Sequence, residues 1–233
     1  MKIVKEKSVL KHGVEHKERL QHALSKLGLQ MSDLQQQKML TYLQELMRWN
    51  KTYNLTAIRD VDQALVQHVF DSLSVVKPLI EYFESRGIDA PKIMDVGSGA
   101  GLPGVILAIG IPYAQVTCID AVDKKISFIR QMKGTLGLLN LECTHARIEE
   151  IEPGQYDTVI SRAFSSVSDF VALAGKHVVK DGSMIAMKGK RPDEEMKALS
   201  QQTQWTVVKI EDIEVPELNA ERCLVWLEDK ENK

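Results

Sequence analysis

The 233-residue chain has almost nothing from which to build cross-links. Its three cysteines, Cys118, Cys143 and Cys223, are scattered and form no C-x-x-C pair. An odd count without an export signal fits reduced thiols, which excludes a disulfide scaffold. The six histidines are equally dispersed, so a structural metal site is not expected. No apolar run approaches the ~20 residues that a membrane span needs. The N-terminal stretch MKIVKEKSVLKHGVEHKER is too charged for a signal peptide. Strong net charge is missing too, with 30 Lys+Arg against 32 Asp+Glu. The expectation is a cytoplasmic protein, monomeric, with neither metal nor membrane among its partners.

What is present is unevenly spread. Residues 1–60 carry eleven Lys+Arg against six Asp+Glu, whereas the remainder carries 19 against 26. A basic segment on a mildly acidic body can steer towards a polyanion; the plainer reading is a lysine-rich solvated helix surface. The pattern also changes near residue 90. From about Glu15 to Ser85, Leu20, Leu24 and Leu27 recur at helical spacing, as do Met39, Leu43, Leu46 and Met47. Ser32 and Asp33 are candidate N-caps. Val66, Val69, Phe70, Leu73 and Val76 predict a further helix ending by Pro78.

Beyond Pro91 strands alternate with helices. The strands are KIMDV, QVTCID, LECTHA, YDTVISRA, SMIAMKG, TVVKIEDIEV and RCLVWLE, with helices predicted from Leu102 and over DKKISFIRQMKGTLGL, VSDFVALAGKHVV and PDEEMKALSQQ. Seven strands with crossover helices predict a doubly wound α/β sheet. The last two strands have no helix between them and should pair as an antiparallel hairpin at one edge. The expected organisation is an N-terminal helical extension, residues 1–90, packed on an α/β core, residues 91–233.

Ligands of such sheets bind at the carboxyl ends of the strands, where DVGSGAGLPG (95–104) follows the first strand. This run satisfies two fingerprints. From Gly97 it reads G-x-G-x-G, the turn of an S-adenosylmethionine (AdoMet) site. From Gly99 it reads G-x-G-x-x-G, the dinucleotide signature of an oxidoreductase. The following helix should offer free N–H groups from Leu102 onward, with Pro103 in its first turn. Asp120, ending the second strand, suits the ribose diol of either cofactor. Two features favour AdoMet and a Rossmann-like class I methyltransferase fold. The 113 residues after Asp120 are consumed by one sheet, leaving no second mononucleotide half. Asp95 also completes D-x-G-x-G-x-G.

The series WNKTYNLTAIRD (49–60), HVFDSL (68–73), DVGSGAGLPG, SRAF (161–164) and MKG (187–189) closely resembles the bacterial small-subunit ribosomal RNA guanine-N7 methyltransferases, the RsmG family, also called glucose-inhibited division protein B. The resemblance runs from about Leu27 to Glu228. It implies an AdoMet-dependent enzyme that methylates N7 of a guanine in the 530 loop of 16S ribosomal RNA, with that RNA or the small subunit as partner. Carried over by position, it implies cofactor contacts at Gly97, Leu102, Ile148, Glu149 and Arg162, beside Gly99 and Asp120 of the fingerprint. The plainer readings are a solvated loop acid for Glu149 and an ion pair to a nearby carboxylate for Arg162.

Missing machinery agrees with this chemistry. There is no D/N-P-P-F/Y platform for exocyclic amines, no cysteine outside the predicted strands for pyrimidine C5, and no Lys-Asp-Lys-Glu set for ribose. Guanine N7 has an exposed lone pair and no proton to remove, so no catalytic base is assigned. For the RNA, Arg162, Lys188 and Arg59 are candidates for the guanine edge, and Lys190 and Arg191 for phosphates. Trp49 and Tyr53 are more readily core residues than stacking platforms. Asn54, His68 and Asp71 are expected to link the helices to the sheet.

Overall fold

The computed structural model describes residues 2–164, 166–202 and 204–230, with side chains over the same span except residues 2–12, 197, 198 and 200–202. Helices come first: α1 (Lys2–Lys26), α2 (Asp33–Tyr53), α3 (Val61–Ala64), α4 (Asp71–Leu73) and α5 (Val76–Arg86). A π-helical turn, Leu65–Phe70, joins α3 to α4. Helix α2 opens with a capping box. The Gln35 N–H donates to the Ser32 hydroxyl at 3.3 Å, and the Ser32 N–H donates back to Gln35 Oε1 at 3.0 Å. Pro78 does not end a helix as expected; it lies in the first turn of α5, where a missing N–H costs no hydrogen bond.

The strands β1 (Lys92–Val96), β2 (Gln115–Asp120), β3 (Leu141–His145), β4 (Tyr156–Ser161), β5 (Val178–Lys188), β6 (Trp205–Asp212) and β7 (Cys223–Asp229) form one sheet in the order β3-β2-β1-β4-β5-β7-β6. β1 to β5 run parallel, while β7 pairs antiparallel with both β5 and β6. The expected hairpin is therefore present, with β7 inside and β6 at the edge. Between the strands lie α6 (Gly104–Gly110), α7 (Asp123–Leu136), α8 (Val167–Ala174) and α9 (Asp193–Gln202). The helix expected over VSDFVALAGKHVV stops at Ala174. Gly175–His177 forms one tight turn and Val178 already belongs to β5. The β-branched pair Val178-Val179 favours the strand.

The two faces of the sheet bury different layers. Ile93 belongs to the same buried cluster as Leu20, Tyr42, Leu46, Phe70, Ile106 and Phe128, so the N-terminal helices share one continuous core with α6 and α7. Met94 and Val96, pointing the other way, pack with Phe170, Val171 and Leu199 of α8 and α9. Both layers leave the carboxyl edge of the parallel strands open.

Candidate functional site

At that edge the Gly97 and Ser98 N–H groups both donate to the Ile119 carbonyl, at 2.8 and 3.0 Å, which ties the loop after β1 to β2. Gly97 holds φ +68°, and a Cβ there would stand 2.8 Å from Ala163 Cβ; no other residue suits the position. Gly104 is required for a different reason: a Cβ would meet Cys118 Sγ of β2 and lie 2.9 Å from Asp95 Oδ2. Asp95 is fully buried at the heart of this turn and accepts from the Gly104 N–H at 2.8 Å. Burial pushes its carboxyl up to about 7 against the pull of that bond.

The expectation of free N–H groups from Leu102 is corrected here. The N–H groups of Leu102, Gly104 and Val105 are taken by Ser98 O, Asp95 Oδ2 and Gly101 O at 2.7–2.8 Å. Helix α6 begins at Gly104, with Pro103 at its cap. The tight turn consumes the donors that a phosphate would need, which weighs against a pyrophosphate-binding loop.

Beside the loop lies a hollow of about 270 Å³. Gly97, Asp120, Ile148 and Glu149 line it together, joined by Val96, Ile119, Arg147, Ala163, Phe164 and Leu173. Asp120 accepts the Gly99 N–H at 2.8 Å on Oδ2 and the Val122 N–H at 2.9 Å on Oδ1. Lys125 Nζ stands 3.5 Å from Oδ2. A carboxylate has about four lone-pair sites, so this one is oriented and still has capacity for two donors. Ile148 offers a buried apolar wall, and Glu149 is exposed at the rim. Gly99 acts through its bond to Asp120, and Leu102 is buried beneath the loop without lining the hollow.

Arg162 is not among the residues lining that hollow. It lines a second cavity of about 310 Å³, on the other side of SRAF, with Ile58, Gln67, His68, Asp71, Met187, Lys188 and Arg222. Asp71, 2% exposed, accepts Arg162 Nη1 at 2.9 Å on one oxygen and Arg222 Nε at 2.8 Å on the other. Arg162 thus makes the ion pair of its plainer reading, yet both guanidiniums keep about a quarter of their side chains exposed, 28% and 26%. Two guanidiniums sharing one carboxylate leave a net positive charge facing the cavity. His68 adds none: burial, with help from Arg162, depresses its pKa to about 4. Its Nε2 lies 2.8 Å from the Thr56 hydroxyl, within the helical segment. Of the three expected helix-to-sheet links, Asp71 reaches the arginines flanking β4 and β7, whereas Asn54 accepts Arg59 Nη2 at the end of α2.

The other candidates are dispersed. Lys188 lines the second cavity, but its ammonium donates to Phe164 O at 3.3 Å and lies 3.4 Å from Glu195. Arg59 donates to Asn50 O and Asn54 Oδ1 and closes the end of α2, outside the cavity that neighbouring Ile58 lines. Lys190 and Arg191 line an adjoining cavity, where Arg191 pairs with Asp212 at 3.2 Å. Trp49 packs against the core and Phe128, whereas Tyr53 is exposed. Arg147 and Arg222 were not singled out in the sequence, and Met187 entered only as part of MKG. Arg222 had a usable signal: it precedes an antiparallel final strand, whose start must lie at the carboxyl ends of its parallel neighbours. Among the described residues no helix is long and apolar enough to cross a membrane, and no group of three His, Cys, Asp or Glu has a metal-holding arrangement.

Known proteins match this chain on both levels. In fold it superposes on a ribosomal protein L11 methylase from Lactobacillus delbrueckii subsp. bulgaricus, with TM-score 0.52, 12% identity, and 73% of this chain and 80% of that one covered. A SAM-dependent methyltransferase from Aquifex aeolicus gives TM-score 0.51, 16% identity, and coverage of 67% and 92%. The architecture is thus that of the Rossmann-like class I methyltransferases. In sequence, the ribosomal RNA small subunit methyltransferase G of Bordetella pertussis is 56% identical over 211 residues, 90% of this chain and 92% of the relative. Its namesake in Methylibium petroleiphilum is 44% identical over 211 residues, 91% and 93% of the two chains. The dinucleotide reading of Gly99–Gly104 finds no support in these matches. Residues 35–225 match the model described as "GidB: rRNA small subunit methyltransferase G", and the chain belongs to that family.

Proposed function

We propose that this chain is an AdoMet-dependent methyltransferase that methylates N7 of a guanine in the 530 loop of 16S ribosomal RNA. The observation that carries this reading is the position of SRAF. Ala163 and Phe164 line the hollow beside the glycine loop, while the adjacent Arg162 lines the positively charged cavity. Two sites of different character therefore share one wall of backbone.

The first site suits AdoMet. Asp120 is oriented to accept from two ribose hydroxyls, and Ile119, Ile148 and Leu173 provide apolar surface for a base. Glu149 at the rim can accept from the adenine amino group. AdoMet, when bound, supplies an electrophilic methyl carbon. The chain's own task is to hold the guanine so that N7 faces that carbon. Arg162 and Arg222 present N–H donors suited to O6 and N7, and Asp71 fixes both guanidiniums. N7 carries no proton, so the neutral, buried His68 is not required as a base; orientation alone can supply ~7–11 kcal/mol of the barrier. Lys190 and Arg191 extend the basic surface towards phosphates. Residues 1–90 serve as the helical extension of the 91–233 core, and the enzyme works as a cytoplasmic monomer on the RNA or on the small subunit.

Borohydride–aniline treatment cleaves RNA at 7-methylguanine. Small-subunit RNA from cells lacking this protein should lose the 530-loop cleavage, and restoring the protein should restore it. Cleavage that persists without the protein refutes the assignment.

A further inference from the structure

The helical extension reaches the glycine loop from below. Tyr42, in the middle of α2, has no exposed surface, and its hydroxyl donates to the Ala100 carbonyl at 2.7 Å. Ala100 stands between Gly99, which bonds Asp120, and Gly101, whose N–H donates to Ser98 O. The loop carbonyl is itself buried. We infer that Tyr42 is a positioning residue of the cofactor site: its hydroxyl holds the 98–102 turn in the conformation that directs Asp120 and Gly97 to the hollow. This rests on the AdoMet reading of that hollow.

The physical argument is one of satisfaction. A buried carbonyl without a partner is costly. If the tyrosine hydroxyl is removed, the turn gains by opening until water reaches Ala100 O. Opening breaks the short bonds that aim the turn, including Gly99 N–H to Asp120. A cofactor must then reclose the loop, and its apparent dissociation constant rises in proportion to the closed fraction lost. Packing holds the tyrosine ready. Its ring lies 5.8 Å from Phe128 of α7, and Phe128 lies 5.5 Å from Trp49, about two turns further along α2. The hydroxyl stays a neutral donor, since burial pushes its pKa well above the usual tyrosine range.

Tyr42→Phe keeps the ring and deletes only the donor. Calorimetry with S-adenosylhomocysteine should show about a tenfold weaker dissociation constant. The amides of Gly101 and Leu102 should exchange hydrogen faster in the free protein, while kcat at saturating AdoMet and KM for RNA stay near wild type. Tyr82→Phe is the control. It removes the bond from the Ser183 hydroxyl, 3.0 Å long and away from the loop, so it should lower the melting temperature without moving ligand affinity. Wild-type affinity in Tyr42→Phe overturns the inference whatever the melting temperature does, and so does unchanged exchange at Gly101 and Leu102. Wild-type protein that binds neither AdoMet nor S-adenosylhomocysteine would instead overturn the cofactor reading beneath it.

Discussion

The two cavities on either side of SRAF are built by opposite means. The hollow proposed for the cofactor is local: most of it comes from short segments at the ends of β1, β2, β3 and β4, and the backbone shapes it. The charged cavity is assembled from distant chain segments. Asp71 meets Arg162 across 91 positions and Arg222 across 151. A backbone-made site fails through sterics and conformation; a site made of ion-paired side chains fails when one partner goes. Variants should therefore separate them cleanly.

Asp71→Ala gives the largest expected effect. It leaves two guanidiniums without their shared carboxylate, and since both are partly solvated the cost should be about 2–4 kcal/mol, at or below the range for a broken buried pair. Methyl transfer should vanish at saturating RNA while S-adenosylhomocysteine still binds, as paired calorimetry and labelled-methyl assays would show. Loss of both together would mean that the two cavities are not independent.

Gly97→Val should do the converse. The positive φ and the Ala163 contact together cost roughly 2–3 kcal/mol, and AdoMet binding should disappear. RNA binding, measured by filter retention, should persist. Asp120→Asn is milder: it should weaken AdoMet and S-adenosylhomocysteine alike by about 1.5–3 kcal/mol, and RNA not at all. A variant that lost only one of the two ligands would remove Asp120 from the ribose.

The cavities also carry opposite pH signs. His68, beside the arginines, has a folded pKa near 4, below its unfolded value of 6.5. It stays neutral in the fold, so stability is lost as pH falls from about 6.5 to about 4. Asp95, beneath the glycine loop, has a folded pKa near 7, above its unfolded 3.8. Its contribution is present at acid pH and lost as pH rises from about 4 to about 7. Urea titrations should show His68→Asn flattening the acid-side loss. Asp95→Asn, whose amide oxygen can still accept from Gly104, should gain on wild type as pH rises through this window. Slopes of the reverse sign would refute both burial arguments. Lys190→Ala should do least: unchanged stability, slightly weaker RNA binding, and a log–log salt slope shallower by about 1.

How much of this was legible in the sequence differs between the regions. Gly97 and Asp120 are legible from the fingerprint and from their places just after β1 and at the end of β2, since strand ends of a parallel sheet converge by topology; Ile148 and Glu149, after β3, came from the family resemblance. Leu102, a cofactor-loop position in the resemblance, lies beneath the loop and not on the hollow, and its N–H is taken by Ser98 O within the turn. Arg162 could be assigned to the cleft but not to a side of it. Lys188 and Arg59 look like free cations in the sequence, and only the structure reveals Glu195, Phe164 O and the α2 terminus as their partners.

By itself the sequence determined the seven strands, their α/β alternation, the edge hairpin and the glycine turn, because these follow from periodicity and from backbone constraints acting over a few residues. Tertiary structure alone decided which cation meets which carboxylate, and that Tyr42 of α2, 58 positions away, donates to the Ala100 carbonyl. Such contacts depend on side chains brought together by packing across the whole chain, where the local pattern of residues carries no record of the partner.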